Sequence, residues 1–416
     1  MPDMNGIVKE RAAAPMSSQY RSRTEILSDT TKDFSLAAGG PLYQFLLRVG
    51  LLKPPMDRVG GRAIVITLIA WAPLLLLTVL SGRVTSGVKI PFLHDFEAQS
   101  RLLLALPLLI AGEVAIHRGI RMLVLQFVDR QIITPTALPK FESIVGSALR
   151  LRNSAAIELG LLAVIIIGEN LWWRNVLAIQ SDTWYGAVTG GKHVLSPAGY
   201  WYVFVSIPFF QFVGLRWYFR LFIWGRMLFQ ISRMDLNLVP SHPDGRCGLG
   251  FLGQIVLTLS PFILAHSVVL SGFVANRILY EGIKLPDHGA EIAVVTVLLF
   301  LLALGPLFVF TPRLLEQRKA AVYSYGSLAS EYVNEFEKKW MKGERPPGEP
   351  LVGTADIQSL ADLANSFAIV QHVVPFPFGR EALISLAVLI VLPLLPLLLT
   401  MFSLQELVER LLKVLF

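Results

Sequence analysis

Apolar residues in this chain gather into long blocks separated by polar, basic stretches. Seven blocks, at 63–80, 102–121, 155–173, 199–219, 250–272, 290–310 and 382–402, are each long enough to cross a hydrocarbon layer of about 30 Å as an α-helix. Between them the apolar period shortens. Leu42, Phe45, Leu46 and Val49 recur at helical spacing beside Arg48 and Lys53, the pattern of a short helix lying on a membrane surface. Phe141, Ile144, Val145, Ala148 and Leu149 repeat in the same way and lead into the third block. The fourth block has no stop signal after it, so Trp201 to Ser232 predicts a continuous helix roughly 48 Å long that carries Arg216, Arg220 and Arg226 to the headgroup level. Trp184 to Leu195 has β-prone residues around a Gly-Gly turn and predicts a small hairpin.

The longest polar stretch lies between the last two blocks. Val322, Tyr325, Ala329, Tyr332, Phe336 and Trp340 step by three and four, and so do Ile357, Leu360, Leu363, Ala364 and Phe367 beyond a Pro/Gly-rich linker. Thr354 or Asp356 is placed to cap the second helix. The pattern as a whole predicts an all-α integral membrane protein, a bundle of about seven transmembrane helices with a cytoplasmic helical hairpin. Residues 1–37 read as a disordered cytoplasmic tail, 38–312 as a membrane domain with six transmembrane helices, and 313–380 as a cytoplasmic helical segment. Residues 381–416 read as the last transmembrane helix with an amphipathic tail.

Composition sharpens this picture. Of the 416 residues 54% are hydrophobic and 16% charged, far from a soluble two-domain chain of this length. The net charge of +7 does not point to nucleic acid. Most of the 37 Lys and Arg fall in 1–62, 118–152, 216–246 and 312–380, the segments that lie on one side if the N-terminus is cytoplasmic. They record orientation, N-in and C-out, and contact with membrane lipids. The one cysteine, Cys247, excludes an intrachain disulfide.

Candidate chemistry is sparse. There is no phosphate-binding G-x-x-x-x-G-K-[ST] loop, no H-E-x-x-H helix and no G-x-S-x-G elbow, so no catalytic motif supports an enzyme. Within the apolar blocks Glu113, Glu169, Gln211 and His266 need a reason to be there. Counting from Ala155 and Gly250 puts Glu169 and His266 at similar depth, so the two are expected to face the interior and pair, with Glu113 also facing inward. The HPDG turn, with Pro243 fixing a backbone angle, reads first as a helix cap. A sharper reading has His242, Asp244, Arg246 and Gly248 forming an anion site at a helix N-terminus. His94, His193 and His288, one in each external loop, are the candidate metal ligands.

The strings LVPSHPDGRCGLGFLG and IQSLADLANSF resemble those of a group of uncharacterised bacterial inner-membrane proteins, over about Phe34 to the C-terminus. In that group's pattern an arginine follows HPD and a glycine pair precedes Leu-Gly-Phe-Leu. Here Gly245 follows HPD, and Cys247 stands where the first glycine would be. The resemblance implies a fold and a location in the bacterial inner (plasma) membrane, and no activity or cofactor. Transport of a small solute or ion is the first reading of function. The alternative is a membrane scaffold or regulatory protein whose cytoplasmic helices meet a protein partner, and an enzyme acting on lipid is the third.

Overall fold

The computed structural model describes residues 27–50, 59–176, 182–189, 192–344, 346–350 and 352–401. Among the described residues six helices are long and apolar enough to cross a membrane, and there are seven if a bent pair counts as one span. The chain is an all-α multi-pass bundle.

Two short helices, α1 (Asp29–Lys32) and α2 (Pro41–Arg48), precede the first span α3 (Val59–Leu80). The second span starts with α4 (Phe96–Gln99), passes through a π turn at Ser100–Ala105 and continues as α5 (Leu106–Asp129). Helices α6 (Leu138–Arg152) and α7 (Ala155–Val176) meet at 45° and form the bent pair. Strands β1 (Gly186–Thr189) and β2 (Lys192–Leu195) pair antiparallel with Ala187 opposite Val194, the hairpin that the sequence predicts. The next span runs without interruption from Pro197 to Ser232, as α8 (Pro197–Trp201), a π turn at Tyr202–Ser206 and α9 (Ile207–Ser232). Then come α10 (Ile255–Thr258), α11 (Ser260–Glu281), α12 (Gly289–Ala303), α13 (Thr311–Phe336), α14 (Asp356–Gln371) and α15 (Arg380–Val391). A 3-10 run at Leu392–Thr400 extends α15.

The prolines explain the irregular turns. Pro107 and Pro208 each stand two residues beyond a π turn. A proline cannot donate to the helix ladder and its ring crowds the carbonyl one turn back, and a widened turn relieves both. Pro261 sits in the first turn of α11, where a missing N–H costs nothing. The fifth span therefore begins at Ser260 and not at Gly250, and Gly250–Thr258 forms a 3-10 turn and the short α10 ahead of it.

Helix α9 is the central staff. It packs against α6, α7, α5 and the 3-10 turn at Gly305–Phe310, and it buries Trp217 and Trp224 completely. Helix α11 packs along the α4–α5 span and against α15. The outward faces stay apolar. Val294 of α12 and Leu76 of α3 remain about two-thirds exposed, as expected of helices whose solvent is lipid.

Two further details differ from the sequence reading. The tail expected to run to residue 37 already packs by Leu27, and Phe34, Leu36 and Ala37 are buried in the main core. Polar side chains hold this segment by its backbone. The Arg152 guanidinium donates to the Ser35 carbonyl, the Gly40 amide donates to Asn153 Oδ1 at 3.1 Å, and the Leu42 amide donates to Glu158 Oε2 at 2.8 Å. The second difference is at the start of α14. Asp356 does not cap it but reaches Lys339 at 2.8 Å and Trp340 at 3.0 Å. These contacts, with Arg318 on the Gln371 carbonyl, hold α13 and α14 as an antiparallel helical hairpin.

Candidate functional site

Glu113 does face inward, and it is fully engaged there. Its Oε2 takes Arg62 of α3 at 2.5 Å, and its Oε1 takes Arg220 at 2.5 Å and Arg216 at 3.4 Å, both from α9. Arg216 also reaches Glu158 of α7 at 3.5 Å. Arg62, Arg216 and Arg220 are nearly inaccessible. Arg216 and Arg220 are four residues apart, so they share the stripe of α9 that faces α5. The sequence reading placed them at the headgroup level without giving them this partner. Buried carboxylate and guanidinium groups stay charged only when paired, and here the pairing is among themselves.

Two of the other intramembrane candidates share one cavity. A space of about 790 Å³ opens between α9, α11, α12 and α7, and both Gln211 and His266 line it. Most of its wall is apolar, with Leu109, Val164, Ile165, Phe210, Val269 and Phe273 among the lining residues. The volume is that of an ordinary small-molecule site. In its lining the Tyr218 hydroxyl meets His266 Nε2 at 2.6 Å. His266 Nδ1 is 2.8 Å from the Phe262 carbonyl, which can only accept, so Nδ1 carries the hydrogen and Nε2 accepts from Tyr218. Both ring nitrogens of His266 have partners without a ligand. Glu97, Arg101 and Glu291, near the starts of the α4–α5 span and of α12, also line it. Arg101 pairs with Glu97 and donates to the Tyr202 hydroxyl at 2.8 Å, linking the two π turns.

His266 therefore pairs with Tyr218. The Glu169 side chain, expected to pair with His266, lies outside the described residues; Gly168, the residue before it, lines the same cavity as His266.

The HPDG turn supplies its own anion. Asp244 Oδ1 accepts the amides of Arg246 at 2.8 Å and Gly248 at 3.1 Å, and Oδ2 accepts the Gly250 amide at 2.9 Å. Burial raises the pKa of this carboxyl, but the three amides and His242 outweigh it and hold the group below the usual carboxylate value. Arg246 does not face an open site either. It donates to the Phe378 carbonyl at 3.0 Å and to the Asp244 carbonyl at 2.6 Å, and the Val374 amide donates to the Gly245 carbonyl. The turn thus ties the loop before α10 to the strap that enters α15. Cys247 is buried with φ 54°, a conformation that glycine adopts without strain. Burial pushes its thiol up to about 12, so it is inert.

Of the three candidate metal ligands, only His94 and His288 have described side chains. His94 is exposed, His288 is buried at the head of α12, and the His193 side chain lies outside the described residues. Among the described residues no group of three or more His, Cys, Asp or Glu could hold a metal ion. Asp95, beside His94, instead accepts from Trp184 Nε1 at 2.8 Å and Asn276 Nδ2 at 2.7 Å.

The sequence reading missed Arg62, Glu158, Arg101, Tyr218 and Glu291. For Arg101 a signal existed, because Glu97 lies four residues earlier on the same helix face. For Arg62 there was none, since its partner is 51 residues away. The chain matches no family model, no curated protein and no solved structure.

Proposed function

We propose that this protein binds a small amphipathic molecule within the bilayer, as the central step of transporting that solute. The observation that carries this reading is the cavity of about 790 Å³, whose described lining is mostly apolar, with Glu97, Arg101 and Glu291 as its charged side chains. Coupling to protons or ions through Glu113 is not part of it, because three guanidinium groups already neutralise that carboxylate. Gln211 and the Tyr218–His266 pair are the polar groups that would orient a ligand inside.

The test is to fill the cavity. A Cβ at Gly214, which lines it, would meet nothing within 4 Å, so Gly214→Trp can be placed without disturbing the helix. Wild type and variant are purified from membranes, and co-purifying small molecules are identified by mass spectrometry. A hydrophobic species retained by wild type and lost from the variant supports the reading. The same species profile in both would end it.

A further inference from the structure

The cavity lies among helices that do not close around it. Helix α7 is attached to the bundle through α9, and α12 through α11 and the 3-10 turn at Gly305–Phe310. Among the described residues little contact joins α7 to α12, although both line the cavity. The lining residues are covered to different degrees. Leu109 of α5 and Ala265 of α11 are 1% exposed, whereas Val164 of α7 is 60% and Leu298 of α12 43% exposed. Gly168 of α7 is exposed as well, and every other described lining residue, the polar ones included, is buried or partly covered. A residue that lines a cavity and also reaches the outer surface marks its rim. The rim therefore runs along α7 and α12, and Leu109 and Ala265 lie inside it.

Val164 is nine residues into α7 and Leu298 nine into α12, roughly 14 Å along each helix. In a hydrocarbon layer of about 30 Å that depth is occupied by lipid chains, not by water or head groups. The exposed neighbours are apolar too: Ile166 and Ile167 beside Val164, and Val294 and Leu301 near Leu298. The Glu169 side chain lies outside the described residues, so Val164, Gly168 and Leu298 alone place the rim. A chain that slides from the bilayer past this rim exchanges one apolar surrounding for another. It loses no hydration and gains packing contacts with the wall.

Resting on the cavity reading above, we propose that the cavity takes the hydrocarbon chain of a lipid already dissolved in the bilayer, and that the chain enters sideways through the slot between α7 and α12. Of the described side chains of α7 only Glu158 and Ile165 are buried. Its polar anchors sit in its first turn, where Glu158 reaches Arg216 at 3.5 Å and accepts the Leu42 amide at 2.8 Å. Beyond that turn α7 rests on α9, so the wall beside the slot is the lightly held one.

The experiment places the full-length protein in phosphatidylcholine vesicles with a photoactivatable probe and locates the labelled residues by mass spectrometry. The probes are a diacyl phosphatidylcholine and hexadecanol, each with a diazirine near the end of a chain, and a water-soluble diazirine that stays out of the bilayer. Either chain-bearing probe is expected to label the peptides that carry Leu109 and Ala265, as well as the lipid-facing Leu76 of α3. Labelling of the interior by the phospholipid assigns the chain of a membrane lipid, and labelling by hexadecanol alone assigns a single-chain lipophile; both support the sideways route. Val164→Trp with Leu298→Trp narrows the rim at two exposed positions and is expected to abolish interior labelling, with an unchanged unfolding midpoint and unchanged labelling of Leu76. Val294→Trp, on the outer face of α12 and away from the lining, is expected to leave both as in wild type. Interior labelling that is absent with both chain-bearing probes, that comes only from the water-soluble probe, or that persists in the rim variant would overturn the lateral route. A second copy of the chain seated on the slot would give the first of these results. The cavity reading would still stand if Gly214→Trp loses the co-purifying species, and would fall as well if it does not.

Discussion

Arg62 and Glu113, 51 residues apart, meet at 2.5 Å inside the bundle, and this contact joins the first span to the second. Glu113 is also the anion on which Arg216 and Arg220 of α9 converge. One carboxylate thus ties three spans, and Glu158 extends the tie to α7 and to the amide of Leu42.

Glu113→Gln should be strongly destabilising, by about 3–5 kcal/mol, because three buried guanidinium groups lose their main counter-ion. Thermal unfolding of the purified protein measures it. Adding Arg62→Met to Glu113→Gln should recover part of the loss, since one uncompensated charge is then removed. A double variant no more stable than the single one would show that the network does not act as a unit.

Asp244→Asn should cost about 1–2 kcal/mol, more than at an ordinary cap, because both carboxylate oxygens accept amides and an asparagine offers one oxygen. The folded-state pKa lies below the ordinary 3.8, so this contribution is complete above that value and is lost as pH falls through the folded pKa. Wild type should therefore lose stability on acidification below about pH 3.8, and the Asn variant should lose less over that window. Equal acid sensitivity in the two proteins would contradict the assignment.

Cys247→Gly should be close to neutral. It relieves a left-handed backbone that costs a side-chain-bearing residue about 1–2 kcal/mol, and it empties a buried site worth a similar amount. Cys247→Val, which keeps the bulk but adds a β-branch at positive φ, should be clearly destabilising. Comparing their unfolding midpoints checks the balance.

Gly272→Ala should lower stability by about 1–3 kcal/mol, through overpacking. A Cβ there would sit 2.0 Å from Ser100 Oγ and 2.6 Å from the Phe96 carbonyl, so α11 would be pushed off the π turn of the second span. Gly60→Ala, where a Cβ meets nothing, is the control and should fold as wild type.

The sequence by itself determined what each helix is. Runs of about 20 apolar residues are long enough to span, the three-and-four spacing from Val322 onward requires a helix with one covered face, and Gly-Gly between β-prone residues makes the hairpin. Those signals are local, so they survive without knowledge of neighbours. The inward direction of Glu113 was legible for the same reason, because no charge sits in hydrocarbon without a partner. Only the tertiary structure decided the partners. Arg216 and Arg220 carry the same pattern whether they face headgroups or Glu113, and the choice depends on how α9 is rotated against α5. His266 meets the Tyr218 hydroxyl, 48 residues away on another helix, a partner that no local pattern names. The cavity belongs wholly to this second class. Its walls come from α5, α7, α9, α11 and α12, and a void between helices leaves no period in any one of them.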